Sequence, residues 1–172
     1  MKRLAYQDLV TDEHPHQIQN RRRGVRSIRR RTELVIALLF LGYGLLRLFV
    51  GLGLLGQSPG LIDIEAFHEP IKATGAFLEA RRAAALVPFS VPAYMVYIAL
   101  MGATLILGAI GVFRDKAEGL MLLGAFLALY VALFVNFQTI NRKIVHLGVA
   151  AVLFSMLVAL RRRRLRPSEP SA

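Results

Sequence analysis

Residues 34–55 read LVIALLFLGYGLLRLFVGLGLL, an almost uninterrupted apolar stretch. A helix needs about 20 such residues to cross the hydrocarbon core of a bilayer. Because lipid offers no hydrogen bonds, a spanning segment must satisfy its backbone groups internally, and a helix does so. The stretch therefore predicts a transmembrane helix.

Three further apolar stretches fix the fold class. They cover residues 91–113, 119–138 and 144–160, and each is bracketed by polar or charged residues. The chain is 55% hydrophobic and its mean hydropathy is +0.50, and four runs of this length are not typical of a soluble domain. The sequence therefore predicts an all-α integral membrane protein whose domain, residues 34–160, is a four-helix transmembrane bundle.

The residues outside these stretches are too few for a sizeable soluble domain. Residues 1–33 form a basic arm, residues 56–90 connect the first two spans, and residues 161–172 form a basic tail. In the connection, apolar residues recur at helical spacing with charged residues between them, and Pro70 and Gly75 interrupt the pattern. This predicts one or two short amphipathic helices along the outer membrane surface.

The net charge of +11 is concentrated at the two ends of the chain. Residues 1–32 carry nine Lys or Arg against three acids, and the tail after Leu160 carries five Arg against one Glu. Since Lys and Arg accumulate on the cytoplasmic side, both termini are predicted to be cytoplasmic and residues 56–90 to lie outside. The excess of Arg over Lys is typical of a GC-rich bacterial genome, so the membrane is predicted to be a bacterial inner membrane.

The arginines next to the spans predict contact with anionic lipid headgroups. Residues 20–32 are predicted to form a basic helix that runs into the first span. The predicted lipid-contact residues are Arg21, Arg22, Arg23, Arg26, Arg29, Arg30, Arg31, Arg161, Arg162, Arg163 and Arg164. No nucleic-acid partner is expected, because this basic cluster adjoins a span.

Arg47 is the most unusual residue within a span. It lies eight positions before Leu55, which corresponds to about 12 Å of helix rise. A charge inside a span is costly and by default marks a functional site or a buried pair. Three explanations stay open: snorkelling toward the outer headgroups or an ion pair with Asp63, Glu65 or Glu69; contact with a ligand; or contact with another subunit.

Other polar side chains are predicted at the same outer-leaflet depth as Arg47. Together with Arg47 they are the candidate ligand-binding residues: Tyr43, Tyr94, Tyr97, Asn136 and His146. Such a set would donate hydrogen bonds to carbonyl or carboxylate oxygens of a quinone headgroup or a small anion. The alternative is that these side chains are interfacial anchors and polar caps of the spans.

Metal and catalytic sites are not predicted. His146 is the only histidine inside a span, so two facing axial histidines cannot be assembled, and the chain contains no cysteine. No phosphate loop, hydrolase triad or metalloprotease helix is visible in the sequence. The sequence therefore predicts no metal and no catalytic residue, and a quinone is the one cofactor that it suggests.

Two stretches resemble a known family. ALLFLGYGLLRLFVG at residues 37–51 resembles the first helix of the DoxX-like family of small bacterial membrane proteins, with Arg47 in the place of that family's basic residue. GATLILGAIGVFR at residues 102–114 looks like the family's second helix. The resemblance covers residues 34–135, and the fourth span lacks the Gly-Pro ending of many members. It implies a four-helix bundle that is sometimes associated with quinone-linked oxidation or redox-stress complexes.

These observations favour a non-catalytic accessory or structural subunit that acts through helix packing and lipid contact. The expected partners are a bilayer with anionic headgroups and other membrane subunits or a second copy of the chain. One alternative is a quinone- or small-molecule-binding membrane subunit of a redox complex. Another is a small oligomeric transporter.

Overall fold

The computed structural model describes the backbone of residues 14–57, 63–138 and 143–165, and the side chains of residues 27–57, 63–138 and 144–163. These residues form five helices and no strand: α1 (His14–Gln57), α2 (Glu65–Arg81), α3 (Val91–Phe113), α4 (Ala117–Phe137) and α5 (Lys143–Leu165). The predicted all-α class is confirmed.

Four of the helices are long and apolar enough to cross a membrane. The candidate spans are Ser27–Gln57, Val91–Phe113, Ala117–Phe137 and Ile144–Arg163. They agree with the predicted stretches to within a few residues, except that the first and last spans extend into the neighbouring arginines. The chain is therefore a multi-pass membrane protein, with α2 as an additional helix between the first two spans.

The basic segment and the first span form one continuous helix. α1 has 44 residues, so it is about 66 Å long, roughly twice the thickness of a hydrocarbon core.

α2 is a single helix, in agreement with the predicted one or two short helices, and it continues through Pro70 and Gly75. Pro70 removes the hydrogen bond that a backbone N–H would donate to Ala66, but both residues are exposed, so that carbonyl can be solvated. The Thr74 hydroxyl donates to the Pro70 carbonyl at 2.7 Å. Leu78 is buried, so α2 lays one apolar face on the bundle.

α1 and α3 pack backbone against backbone through glycines. A Cβ atom on Gly102 would lie 2.6 Å from the Leu48 nitrogen, and one on Gly51 would lie 2.9 Å from the Ala99 nitrogen. From the other side, a Cβ on Gly44 would lie 2.8 Å from the Leu105 Cβ. Small residues permit such a close approach in membrane bundles, and here they produce the most extensive helix pair of the fold.

α3 and α4 are joined by a tight turn at residues 114–116. Asp115 has a φ of 60°, a left-handed conformation that aspartate tolerates better than most residues, and the Lys116 N–H donates to the Gly111 carbonyl at 2.9 Å. The helices then touch through glycines, because a Cβ on Gly111 would lie 2.6 Å from the Gly119 Cα. At the opposite end, the Ser90 hydroxyl accepts from the Ala93 N–H at 3.4 Å and caps α3.

α5 is the least embedded of the four spans. Only 17% of its apolar window is buried, compared with 44% for α3. Ala150 and Leu157 join the core, and Leu157 is one of its largest fully buried side chains, together with Phe126 and Met101. The outward faces of α1 and α5 expose many large apolar side chains, as expected for helices in contact with lipid or with other membrane helices.

Candidate functional site

Arg47 lies in a cage of aromatic and sulfur-containing side chains. Its Nη2 donates to the Tyr43 hydroxyl at 2.8 Å, and its Nη1 faces the Met101 sulfur at 3.5 Å. The centre of the guanidinium is 4.5 Å from the ring centroid of Tyr130, 4.8 Å from that of Tyr43 and 5.7 Å from that of Phe126. We call these five residues the Arg47 cage. Cation–π attraction on this geometry stabilises a charge that has left water.

Helical spacing on α1 and α4 positions four of the five cage residues, and α3 supplies Met101. Tyr43 and Arg47 are four residues apart on α1, and Phe126 and Tyr130 are four residues apart on α4, so each pair lies on one helix face. The rings of Phe126 and Tyr130 are 5.7 Å apart, and Tyr43 meets Phe126 edge-on at 6.4 Å. The Tyr130 hydroxyl is within hydrogen-bonding reach of Tyr43 and Arg47. The cage therefore bridges α1 and α4 through side chains.

The guanidinium points away from the α2 end of the bundle. Its acceptor, Tyr43, lies one turn before Arg47 on α1, so the side chain reaches back toward the middle of the span. This direction is opposite to the predicted snorkelling toward the outer headgroups. The predicted ion pair does not form either, since Asp63 contacts His68 at 2.7 Å and Glu69 faces Lys72 at 4.0 Å. Within the described residues, Arg47 has no carboxylate partner.

Arg161, unlike Arg47, is a buried arginine whose guanidinium has carbonyl and carboxylate partners within the chain. Its guanidinium donates to the Lys116 carbonyl at 2.8 Å and to the Val112 carbonyl at 3.4 Å, and it lies 3.2 Å from the Asp115 carboxylate. Arg161 is only 8% exposed. It therefore ties α5 to the turn between α3 and α4, where its positive charge also complements the C-terminus of α3.

The other predicted lipid-contact arginines differ from Arg161. Arg30, Arg31, Arg162 and Arg163 are exposed and Arg29 is half-buried. The side chains of Arg21, Arg22, Arg23, Arg26 and Arg164 lie outside the described residues. Lipid contact stays a prediction for these arginines, whereas the structure gives Arg161 an internal role.

Asn136 connects α4 to the loop before α3 through hydrogen bonds. Its side-chain oxygen accepts from the Val87 N–H at 2.7 Å, and its side-chain nitrogen donates to the Val87 carbonyl at 3.0 Å. Its own carbonyl accepts from the Leu86 N–H at 3.1 Å. The side-chain oxygen and nitrogen of Asn136 thus form hydrogen bonds with the backbone N–H and carbonyl of Val87, a loop residue outside the helices. These bonds explain why an asparagine is buried here, and no ligand is needed to explain it.

Tyr97, Tyr94 and His146 do not join the Arg47 cage. The Tyr97 hydroxyl donates to the Leu129 carbonyl at 2.8 Å and so fastens α3 to α4. The Tyr94 ring packs against Phe137 at 6.1 Å, as part of an aromatic cluster at the α2 end. His146 is exposed on α5 and makes no hydrogen bond within the described residues. Of the six predicted ligand-binding residues, Tyr43 and Arg47 are joined by a hydrogen bond, and Tyr94 lies near enough to Arg47 for an electrostatic interaction.

A separate groove of about 410 Å³ opens beside that aromatic cluster. Leu78, Phe89 and Phe137 line its apolar side, and Glu79 and Arg82 stand on its rim, 3.6 Å apart. Because these two charged groups are exposed and face each other, the rim presents a neutralised pair. The groove is distinct from the Arg47 cage and offers it no opening.

The cage members Met101, Phe126 and Tyr130 could not be singled out in the sequence. Each lies in an apolar run and looks like an ordinary core residue. The one usable signal was the spacing of four between Phe126 and Tyr130, which predicts a shared helix face but not which helix it meets.

Comparison with known proteins finds no matching family model, no matching curated protein and no matching solved structure. The DoxX-like resemblance therefore stays a prediction. Its first stretch, residues 37–51, lies on α1, and its second, residues 102–114, covers the C-terminal half of α3 and the residue that follows it. The two stretches meet at the close contact between Gly102 and Leu48.

Proposed function

We propose that this protein is a non-catalytic accessory subunit located in a bacterial inner membrane, and that it acts by packing α5 against a helix of another membrane protein or of a second copy. The observation that carries the proposal is the composition of the open face of α5. Gly148, Ser155 and Ala159 are exposed there, at spacings that place them on one side of the helix, among exposed Val145 and Val152. Small residues at such spacings are typical of surfaces where membrane helices approach closely.

Both helices expose large apolar side chains, but the open face of α1 has fewer small residues among them. Val35, Leu38, Leu45, Phe49 and Leu52 are all exposed and recur at spacings of three and four, interrupted only at residue 42. Large side chains of this kind suit lipid chains and keep a second helix at a distance. The difference supports α5 rather than α1 as the partner-binding helix.

The charges of the described residues support the proposed orientation. The end that holds the turn between α3 and α4 carries Arg114, Lys116 and Arg161–Arg163, and α1 enters it through exposed Arg30 and Arg31. The end that holds α2 mixes acids and bases. By the positive-inside rule, the arginine-rich end with both termini is cytoplasmic. Accessory subunits of the DoxX-like type would fit this arrangement.

A pair of glycine substitutions tests the proposal. Gly148 on α5 and Gly42 on α1 both face open space, with no atom within 4 Å of a Cβ built on them. We expect Gly148→Leu to lose most of the polypeptide that co-purifies with the wild type in mild detergent, because leucine fills the place of the partner helix. Gly42→Leu should keep it. The readout is quantitative mass spectrometry of tagged protein extracted from its own membranes.

Two results would contradict the proposed packing role of α5. Wild-type protein that emerges as a monomer without any stoichiometric polypeptide would contradict the proposal. So would equal retention of the partner by the Gly148→Leu and Gly42→Leu variants.

A further inference from the structure

We propose that the Arg47 cage binds an oxygen acceptor, a carbonyl or a carboxylate, carried by a lipid-soluble molecule. This site does not depend on the packing role proposed for α5. The starting observation is a comparison of two arginines in one fold. The guanidinium of Arg161 contacts two backbone carbonyls and a carboxylate, whereas the guanidinium of Arg47 contacts a hydroxyl, a sulfur atom and aromatic rings.

The guanidinium of Arg47 keeps unused hydrogen-bond donors. It has five N–H groups. The Tyr43 hydroxyl takes one, the Met101 sulfur faces another, and the Tyr130 hydroxyl can take a third. Nε is buried without a hydrogen-bond partner, but so is Nε of Arg161, and the difference lies in the terminal nitrogens, which in Arg47 contact no carbonyl or carboxylate of the described residues. A charged donor in hydrocarbon that lacks an acceptor is costly, so the site favours a molecule that supplies one.

The depth of the site selects the class of ligand. Arg47 is about 12 Å of helix rise from Leu55 and about 20 Å from Leu34, so it lies well inside a core about 30 Å thick. The guanidinium then reaches back toward Tyr43, farther from the α2 end. The charged headgroups of phospholipids and of ionised fatty acids stay at the interface, so the acceptor must belong to a quinone or to a fatty acid that enters the hydrocarbon in its protonated form.

The surroundings suit such a molecule. Arg47 is half-buried rather than sealed, and its neighbour Leu46 is 58% exposed on the outer surface of α1. A ligand would therefore reach the site from the bilayer. The flat fork of a guanidinium matches a carboxylate or a pair of carbonyl oxygens. Quinones and long-chain fatty acids both carry this chemistry.

Binding of two probes to protein in nanodiscs tests the proposal and separates the two sources. The probes are decylubiquinone and oleate, and the readout is the amount of each retained per chain as a function of its concentration. The chain has no tryptophan, so its intrinsic fluorescence comes from five tyrosines, two of which are in the cage. Quinone at the site should therefore also quench tyrosine emission. Saturable binding of one probe and not of the other identifies which of the two molecules supplies the oxygen acceptor.

Three variants connect the binding to Arg47. Arg47→Met should weaken saturable binding roughly tenfold to a hundredfold, the loss of one or two hydrogen bonds to a charged donor. Arg162→Met, the same substitution at an exposed arginine, should bind like the wild type. If Arg47→Met does not fold, Arg47→Lys keeps the charge without the fork and should still weaken binding about tenfold. Wild-type protein that binds neither probe saturably would overturn the proposal, as would Arg47 variants that bind as tightly as Arg162→Met.

Discussion

Replacing Gly102 with alanine is expected to lower the free energy of unfolding by about 2–3 kcal/mol, at the upper end of the usual cost of overpacking. The new methyl group would lie 2.6 Å from the Leu48 nitrogen and 2.9 Å from the Gly44 carbonyl oxygen. Both atoms belong to the backbone of α1, so no side-chain rotation can relieve the contact. The two helices must separate, and the separation would loosen the packing around Met101 and Leu105.

Gly42→Ala is the matched control for this substitution. Gly42 is on α1, two residues from Gly44, and a Cβ on it meets nothing within 4 Å. Alanine there should leave stability within about 1 kcal/mol of the wild type, with a tendency to raise it, because alanine is the better helix former. Unfolding by SDS in mixed micelles, followed by circular dichroism, gives both values. Equal stabilities of the two variants would show that the α1–α3 contact is not as close as described.

Arg161→Met is expected to cost about 2–4 kcal/mol and to release the C-terminal end of α5. The substitution keeps much of the apolar stem but removes the donors to the Lys116 and Val112 carbonyls and the partner of Asp115. Hydrogen bonds to a charged group contribute about 1.5–3 kcal/mol each, and the half-exposed Asp115 keeps part of its hydration, which limits the total.

The measurement for Arg161 is hydrogen exchange along α5 combined with the same SDS unfolding assay. Faster exchange should be confined to the last turns of α5 and the turn at residues 114–116. The control is Arg162→Met, since Arg162 is the next residue and is exposed. If Arg162→Met destabilises the protein as much as Arg161→Met, the effect is the loss of a terminal charge and not of the internal contacts.

The four spans could be predicted from the sequence because a segment that crosses lipid must be a long apolar run, and such runs are visible in the sequence itself. A continuous apolar run as long as residues 91–113 matches the length that a helix needs to cross the hydrocarbon with its backbone hydrogen bonds satisfied. The shape of α2 was harder to predict. Pro70 normally argues for a break, but it is exposed near the start of the helix, where one missing hydrogen bond is replaced by solvation. Exposure is a tertiary property, so the sequence could not show it.

The site was predictable only where a residue is unusual by itself. Arg47 stood out because a charge in an apolar run is rare, and Tyr43 is its neighbour on the same helix face. Asn136 also stood out, but its amide satisfies Val87, a residue 49 positions away in the chain. Arg161 looked like one more arginine of a basic tail, because nothing in the sequence shows that it meets the turn at residues 114–116.

Arg47 and Arg161, the two arginines with contacts inside the bundle described above, suggest a division of roles. Arg161 lies at the arginine-rich end, and every described contact of its guanidinium is to a backbone carbonyl or carboxylate of this chain. Arg47 lies deep in the span and is held by an aromatic cage that stabilises the charge without neutralising it. The first arrangement strengthens the fold, and the second leaves the capacity to bind an acceptor.

Cysteine labelling in whole cells is the most direct test of a bundle with four spans and both ends on the cytoplasmic side. The chain has no cysteine, so single cysteines at Ser27, Glu69, Glu118 and Arg163, all exposed, report their own positions. A membrane-impermeant maleimide should label Glu69→Cys in intact spheroplasts, and the other three only after permeabilisation. Labelling of Glu118→Cys from the same side as Glu69→Cys, or of Ser27→Cys and Arg163→Cys from opposite sides, would contradict the arrangement.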